Sequence, residues 1–199
     1  MTDRLLNQIK FIMEADKLKN VERRNLITDM SRFENTAEHS WHFALMAMTL
    51  YEYAADDVNL SRVIKMAILH DLVEVYAGDT FAFDEAGYES KAQRENDAAD
   101  KLYSLLPPEQ AIEFRGLWQE FEKMETADAL YAAAIDVLHP ALHNAKTLDH
   151  PEHPWAKFGV TSTQIYNRLA PVKTAMPELW ELVEEVVADA IEKGAVIAR

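Results

Sequence analysis

Histidine and carboxylate side chains crowd into ILHDLVEVYAGDT, residues 68–80, where His70, Asp71, Glu74 and Asp79 stand among apolar neighbours. If the stretch is helical, His70 and Glu74 lie four apart and Asp71 and Glu74 three apart, on adjoining parts of one surface. Adjacent residues diverge by roughly 100° around a helix, so His70 and Asp71 share one ion only if it sits between them, close to the backbone. Glu74 would then hang beside the ion as a base or a supporting group, and Asp79, just past Gly78, could close over it from a loop. The bland alternative is a core histidine hydrogen-bonded to Asp71, with Glu74 in solvent. Ala67, Ile68, Leu69, Leu72, Val73 and Val75 weigh against it, because an unpaired buried carboxylate is costly and coordination offsets that cost.

The chain has no cysteine, so thiolate metal sites, iron–sulfur clusters and disulfides are excluded and any metal must be held by histidine and carboxylate. His39 opens a helix in ENTAEHSWH with His42 three residues on, one of the two being a packing residue. AAAIDVLHPALHN places Asp136, His139 and His143 in a one-sided stripe, and Asp136 is again a carboxylate inside an apolar helix. His139 and His143 read as structural, although they form a rival metal pair across Pro140; His150 and His153, in a Pro-rich loop, read as surface residues.

The elements that must hold these groups are helices. Five glycines and seven prolines are few, strand-like alternation is missing, and the periodicity predicts an all-α fold of about eight helices near 3–19, 36–55, 60–76, 88–106, 108–123, 125–148, 160–170 and 177–193. Asn35 and Glu38 form a capping-box pattern that starts the helix bearing His39, and Gly78 suits the end of the helix bearing His70. Pro140 is expected to kink or divide its helix. With 199 residues, no linker and no repeat, the expectation is one domain over 1–199, with its motifs within 24–144 and packing helices over about 155–195. A formal net charge of −14 argues against nucleic acid as partner. The charged N-terminus and the lack of long apolar runs give the expectation of no membrane contact and a cytoplasmic location.

The order His39, His70-Asp71, Asp136, together with ENTAEHSW, ILHDLVEVYAGDTFAFD and AAAIDVLHPALHN, resembles the HD-domain superfamily of metal-dependent phosphohydrolases, in particular its bacterial 5′-deoxynucleotidase branch. The resemblance implies that His39, His70, Asp71 and Asp136 bind one divalent ion (Mn, Co, Fe, Zn, Ni or Mg) and that Glu74 and Asp79 are catalytic. It also implies that Arg24, fifteen residues before His39, holds the substrate phosphate. Where that branch has a tryptophan after the arginine, which helps to exclude a ribose 2′-hydroxyl, this chain has Asn25. Two-metal members carry extra histidines between the HD pair and the last aspartate, and this chain has none there. Asp128, in TADAL, is a weaker match to the last-aspartate block than Asp136.

The expected activity is therefore metal-dependent release of phosphate from (deoxy)nucleoside 5′-monophosphates, with a small anionic phosphate substrate as partner. Hydrolysis of another phosphate compound, or a non-catalytic metal-stabilised binding module, are the competing readings. Related nucleotidases form homodimers, and Trp118, Trp155, Trp180 and eight methionines could supply either such an interface or the chain's own core.

Overall fold

In the computed structural model, which describes residues 2–199 apart from the side chain of Glu85, the chain is built almost wholly of helices. α1 (Asp3–Ala15) leads into a two-stranded antiparallel ribbon, β1 (Glu22–Leu26) and β2 (Phe33–Asn35), and then into α2 (Thr36–Thr49). α3 (Leu60–Leu69), α4 (Glu74–Ala77), α5 (Glu85–Tyr103), α6 (Pro108–Lys123) and α7 (Ala127–Lys146) follow. The chain ends in α8 (Pro154–Lys157), α9 (Ser162–Arg168), α10 (Ala170–Ala175) and α11 (Trp180–Glu192). The buried apolar side chains form one contiguous core running from Phe11 to Val196. Among the described residues no helix is long and apolar enough to cross a membrane.

α7 is the hub. Ala129, Ala132, Ala133, Ala134 and Ala141 are buried along it, and such small side chains let α10, α3, α2, α6 and α11 pack closely around it. The expected division at Pro140 does not occur, and the helix runs through it. A proline there has no N–H for the carbonyl one turn back, which is that of Asp136.

Three local features position the site. The capping box is present: the Asn35 side chain accepts from the Glu38 N–H and the Glu38 carboxylate accepts from the Asn35 N–H, which fixes the entrance of α2. The predicted 60–76 helix instead stops at Leu69. A tight turn over 70–73 follows, with the Leu72 N–H donating to the Leu69 carbonyl and the Glu74 N–H to the Asp71 carbonyl. Gly78 then ends α4 at φ 73°, ψ 156°, a backbone that essentially only glycine adopts.

Candidate active site

His39 from α2, His70 and Asp71 from the end of α3, and Asp136 from α7 converge on one point. His39 Nε2 lies 2.9 Å from Asp136 Oδ1 and 3.8 Å from Asp71 Oδ2, while His70 Nε2 lies 3.0 Å from Asp71 Oδ2 and 3.5 Å from Asp136 Oδ1. The turn after Leu69 is what lets neighbours 70 and 71 both face inward, which a continuous helix would oppose.

The donor set fits a divalent cation. His70 Nδ1 lies 3.0 Å from the Ala67 carbonyl oxygen, to which it can only donate, so a neutral imidazole presents its lone pair at Nε2. That atom is buried, has no hydrogen-bond partner, and faces two carboxylate oxygens that can only accept. A cation held between them resolves the conflict. With the metal out, a proton does so: burial lowers the His70 pKa, but Asp71 and Asp136 hold it up to about 10. Burial works against both aspartates as anions, yet His70 keeps Asp71 below the usual carboxylate range, and His39 and His70 do the same for Asp136. Burial, and then the charge of Arg23, push His39 down to about 4, leaving a neutral ring ready to ligate. Two nitrogens and two carboxylates suit a borderline transition-metal ion better than calcium or magnesium.

Two further carboxyls flank this point. Glu74 is buried at the start of α4 and accepts a 2.9 Å hydrogen bond from the Thr36 hydroxyl. Burial, reinforced by the charge of Asp71, raises its pKa well above the ordinary value. Asp79 is raised too, by burial first, against the opposing charge of Arg23. Its loop is held by Arg94, which donates to the Ala77 carbonyl at 2.6 Å and the Thr80 hydroxyl at 2.8 Å. A metal-capable point with two carboxyls of raised pKa beside it is the kind of arrangement that general acid–base chemistry uses.

The family model of the HD domain matches residues 15–180. The chain belongs to the HD-domain family. A solved structure of a predicted metal-dependent phosphohydrolase from Magnetospirillum magnetotacticum is 45% identical, with a TM-score of 0.92 over 98% of this chain and 96% of that one. The 5′-deoxynucleotidase HDDC2 of Homo sapiens is 27% identical over 91% of this chain and 85% of its own length. Its Dictyostelium discoideum counterpart is 31% identical over 65% and 72%.

The HD centre opens into a cavity of about 330 Å³ whose wall includes Glu74, Asp79, Phe81, Tyr88 and Trp155. The ribbon sends its two arginines different ways. Arg23 points inward, its side chain only 12% exposed, and donates to Asp71 Oδ2 at 2.8 Å while standing 3.8 Å from Asp79 Oδ1. Arg24 is exposed and lines the cavity's edge, where its charge still acts on Asp79. Asn25 is buried in the cavity wall, with its side-chain amide donating to the Pro140 carbonyl at 3.4 Å. Lys91 and Arg168 complete the positive lining, Arg168 lying 3.7 Å from Asp136 Oδ2.

Arg23, Arg94, Lys91, Arg168 and Thr36 were not picked out by the sequence as site residues. The one usable signal is the period of two in a strand, which separates Arg23 from Arg24 once ERRNL is known to be extended. Asp128 lies outside the centre and accepts from the Asn59 N–H at 2.6 Å and Arg62 Nε at 3.0 Å, which ties α3 to α7. His153 is fully buried rather than on the surface, its Nε2 lying 3.1 Å from the Asn144 carbonyl oxygen, just before Pro154 starts α8.

Proposed function

We propose that this protein is a metal-dependent nucleotidase that hydrolyses (deoxy)nucleoside 5′-monophosphates, with His39, His70, Asp71 and Asp136 holding one divalent ion. The observation that carries the reading is the orphaned His70 Nε2 facing Asp71 and Asp136, with Glu74 and Asp79 at the same cavity. The relatives bearing the name 5′-deoxynucleotidase support the substrate class.

When bound, the ion supplies a positive anchor for a phosphoryl oxygen and acidifies water. Glu74, fixed by Thr36, orients a water and takes its proton. The water oxygen bonds to phosphorus, the bond from phosphorus to the 5′-oxygen breaks, and Asp79 gives that oxygen its proton; the exchanged assignment of Glu74 and Asp79 balances equally. Arg24 meets the phosphate at the cavity's edge, and Arg23, between Asp71 and Asp79, offsets negative charge at its floor. The substrate stays a small molecule, since a chain of net charge −14 repels a polyanion.

The proposal treats residues 1–199 as one domain, supported by the single core, and places it in the cytoplasm with its nucleotide substrate. It includes a homodimer, supported by Trp41, Leu45 and Met48 exposed along one face of α2 and readable by sedimentation. The deciding experiment is release of inorganic phosphate across a panel of nucleoside monophosphates. Glu74→Ala is expected to lower turnover by ~10²-fold or more with metal content unchanged. Full turnover in that variant, or pyrophosphate as the product from triphosphates alone, would overturn the reading.

A further inference from the structure

Behind the HD centre, the same two helices build a second layer of ligand-capable side chains. One turn beyond His39 on α2 stands His42, and one and two turns beyond Asp136 on α7 stand His139 and His143. Their ring nitrogens meet: His42 Nδ1 lies 2.8 Å from His139 Nε2 and 3.2 Å from His143 Nε2. All three ligand-capable atoms fall within 4.8 Å of one another. In a tetrahedral zinc site with bonds near 2.0–2.1 Å, nitrogens stand about 3.4 Å apart, so small ring rotations suffice to admit an ion.

The surroundings suit coordination. His139 and His143 are buried and His42 is half-exposed, so the cluster has a rigid floor and one side toward solvent. No Lys or Arg side chain pairs with any of the three rings among the described residues. The nearest carboxylate is buried Glu34, whose Oε1 stands 3.5 Å from His139 Nε2. Burial keeps His42 and His143 below their ordinary pKa, in the neutral form that binds metal.

We propose that His42, His139 and His143 form a second metal site, separate from the HD centre, for a borderline divalent cation such as zinc, cobalt or nickel. Three imidazoles without a full carboxylate shell select these ions over magnesium and calcium. The fourth position is left for water on the His42 side, as in three-histidine sites generally. The two sites touch directly where His39 Nδ1 lies 3.0 Å from His139 Nδ1, and Glu34 stands beside both rings, 3.8 Å from His39 Nδ1 and 3.5 Å from His139 Nε2. With His39 Nε2 committed to the HD centre its proton sits on Nδ1, facing His139. Coordination through His139 Nε2 moves the His139 proton to its own Nδ1, so two N–H groups face one another across that contact and the rings must turn apart. The second ion therefore binds after the first and more weakly.

The full chain, stripped of metal and titrated with cobalt(II) alone, tests this by calorimetry and visible absorption. Two equivalents per chain are expected, the weaker one bringing the ligand-field bands of four-coordinate cobalt. His42→Ala, at a half-exposed position, is expected to bind one equivalent, and His143→Ala the same, each with an unchanged circular-dichroism spectrum. Binding of a single equivalent by the unaltered chain, or of two by either variant, would overturn the proposal.

Discussion

At the scale of single residues, the two neighbouring arginines of β1 stand in different surroundings, Arg23 turned inward and Arg24 exposed. Arg23 is nearly buried and sits among Asp71, Asp79 and Glu34, with Nε 3.9 Å from Glu34 Oε2 and neither of those atoms hydrogen-bonded. Burial lowers its pKa, but Asp71 and Asp79 more than restore it, so its charge is permanent. Removing one partner from a buried ionic cluster costs about 3–5 kcal/mol. Arg23→Ala is therefore expected to lower stability by about 3 kcal/mol and phosphate release by ~10²-fold. Arg24, exposed, has no such structural duty. Arg24→Ala should leave stability within about 0.5 kcal/mol and raise KM for a nucleoside monophosphate. Denaturant melts and steady-state kinetics of the two variants decide it: equal stability losses would refute the division of labour.

At the scale of elements, the helix periods and the order of the ionisable groups are legible in the sequence, and so are the capping box at Asn35 and the glycine stop at Gly78. Two things are not. The ribbon carrying Arg23 is hidden because ERRNL has no apolar alternation; it is extended through pairing with FEN, a tertiary effect. The break after Leu69 is hidden because Leu72 and Val73 continue the apolar pattern while the backbone tightens into a turn. His139 and His143 read as packing residues because their partner, His42, lies about a hundred residues away on α2. Gly78 allows a direct test of element against site. A Cβ there meets nothing within 4 Å, so the cost of Gly78→Ala is conformational alone. At φ 73°, ψ 156° it should amount to ~2 kcal/mol, or about 4–8 °C in Tm. Because Asp79 is the next residue while His70 and Asp71 lie upstream, turnover should fall with metal binding intact. Loss of metal along with turnover would show that the turn at 70–73 depends on Gly78.

At the scale of the whole molecule, the HD centre joins α2, the α3–α4 turn and α7, with the ribbon braced against it through Arg23, so an ion there clamps the elements that carry the core. Free ion at about a thousand times its Kd adds ~4 kcal/mol to folding, so chelation should lower Tm by about 8–16 °C for a chain of this size. The size of that drop depends on pH, and the sign follows from His70. Its folded, metal-free pKa lies above the unfolded value, at about 10. The stability this gives the metal-free protein is present in full below about pH 6.5 and is lost as pH rises toward 10. The same proton must leave for the ion to bind, so below pH 10 each unit rise in pH strengthens binding by about tenfold per proton displaced. These are one proton linkage seen from its two sides, and the gap widens as pH rises. Melting the metal-loaded and chelated proteins at about pH 6.5 and 8.5 should therefore show a larger difference at the higher value. A gap that is constant or narrows would mean that His70 holds no proton in the metal-free protein, and that something other than charge holds Asp71 and Asp136 together.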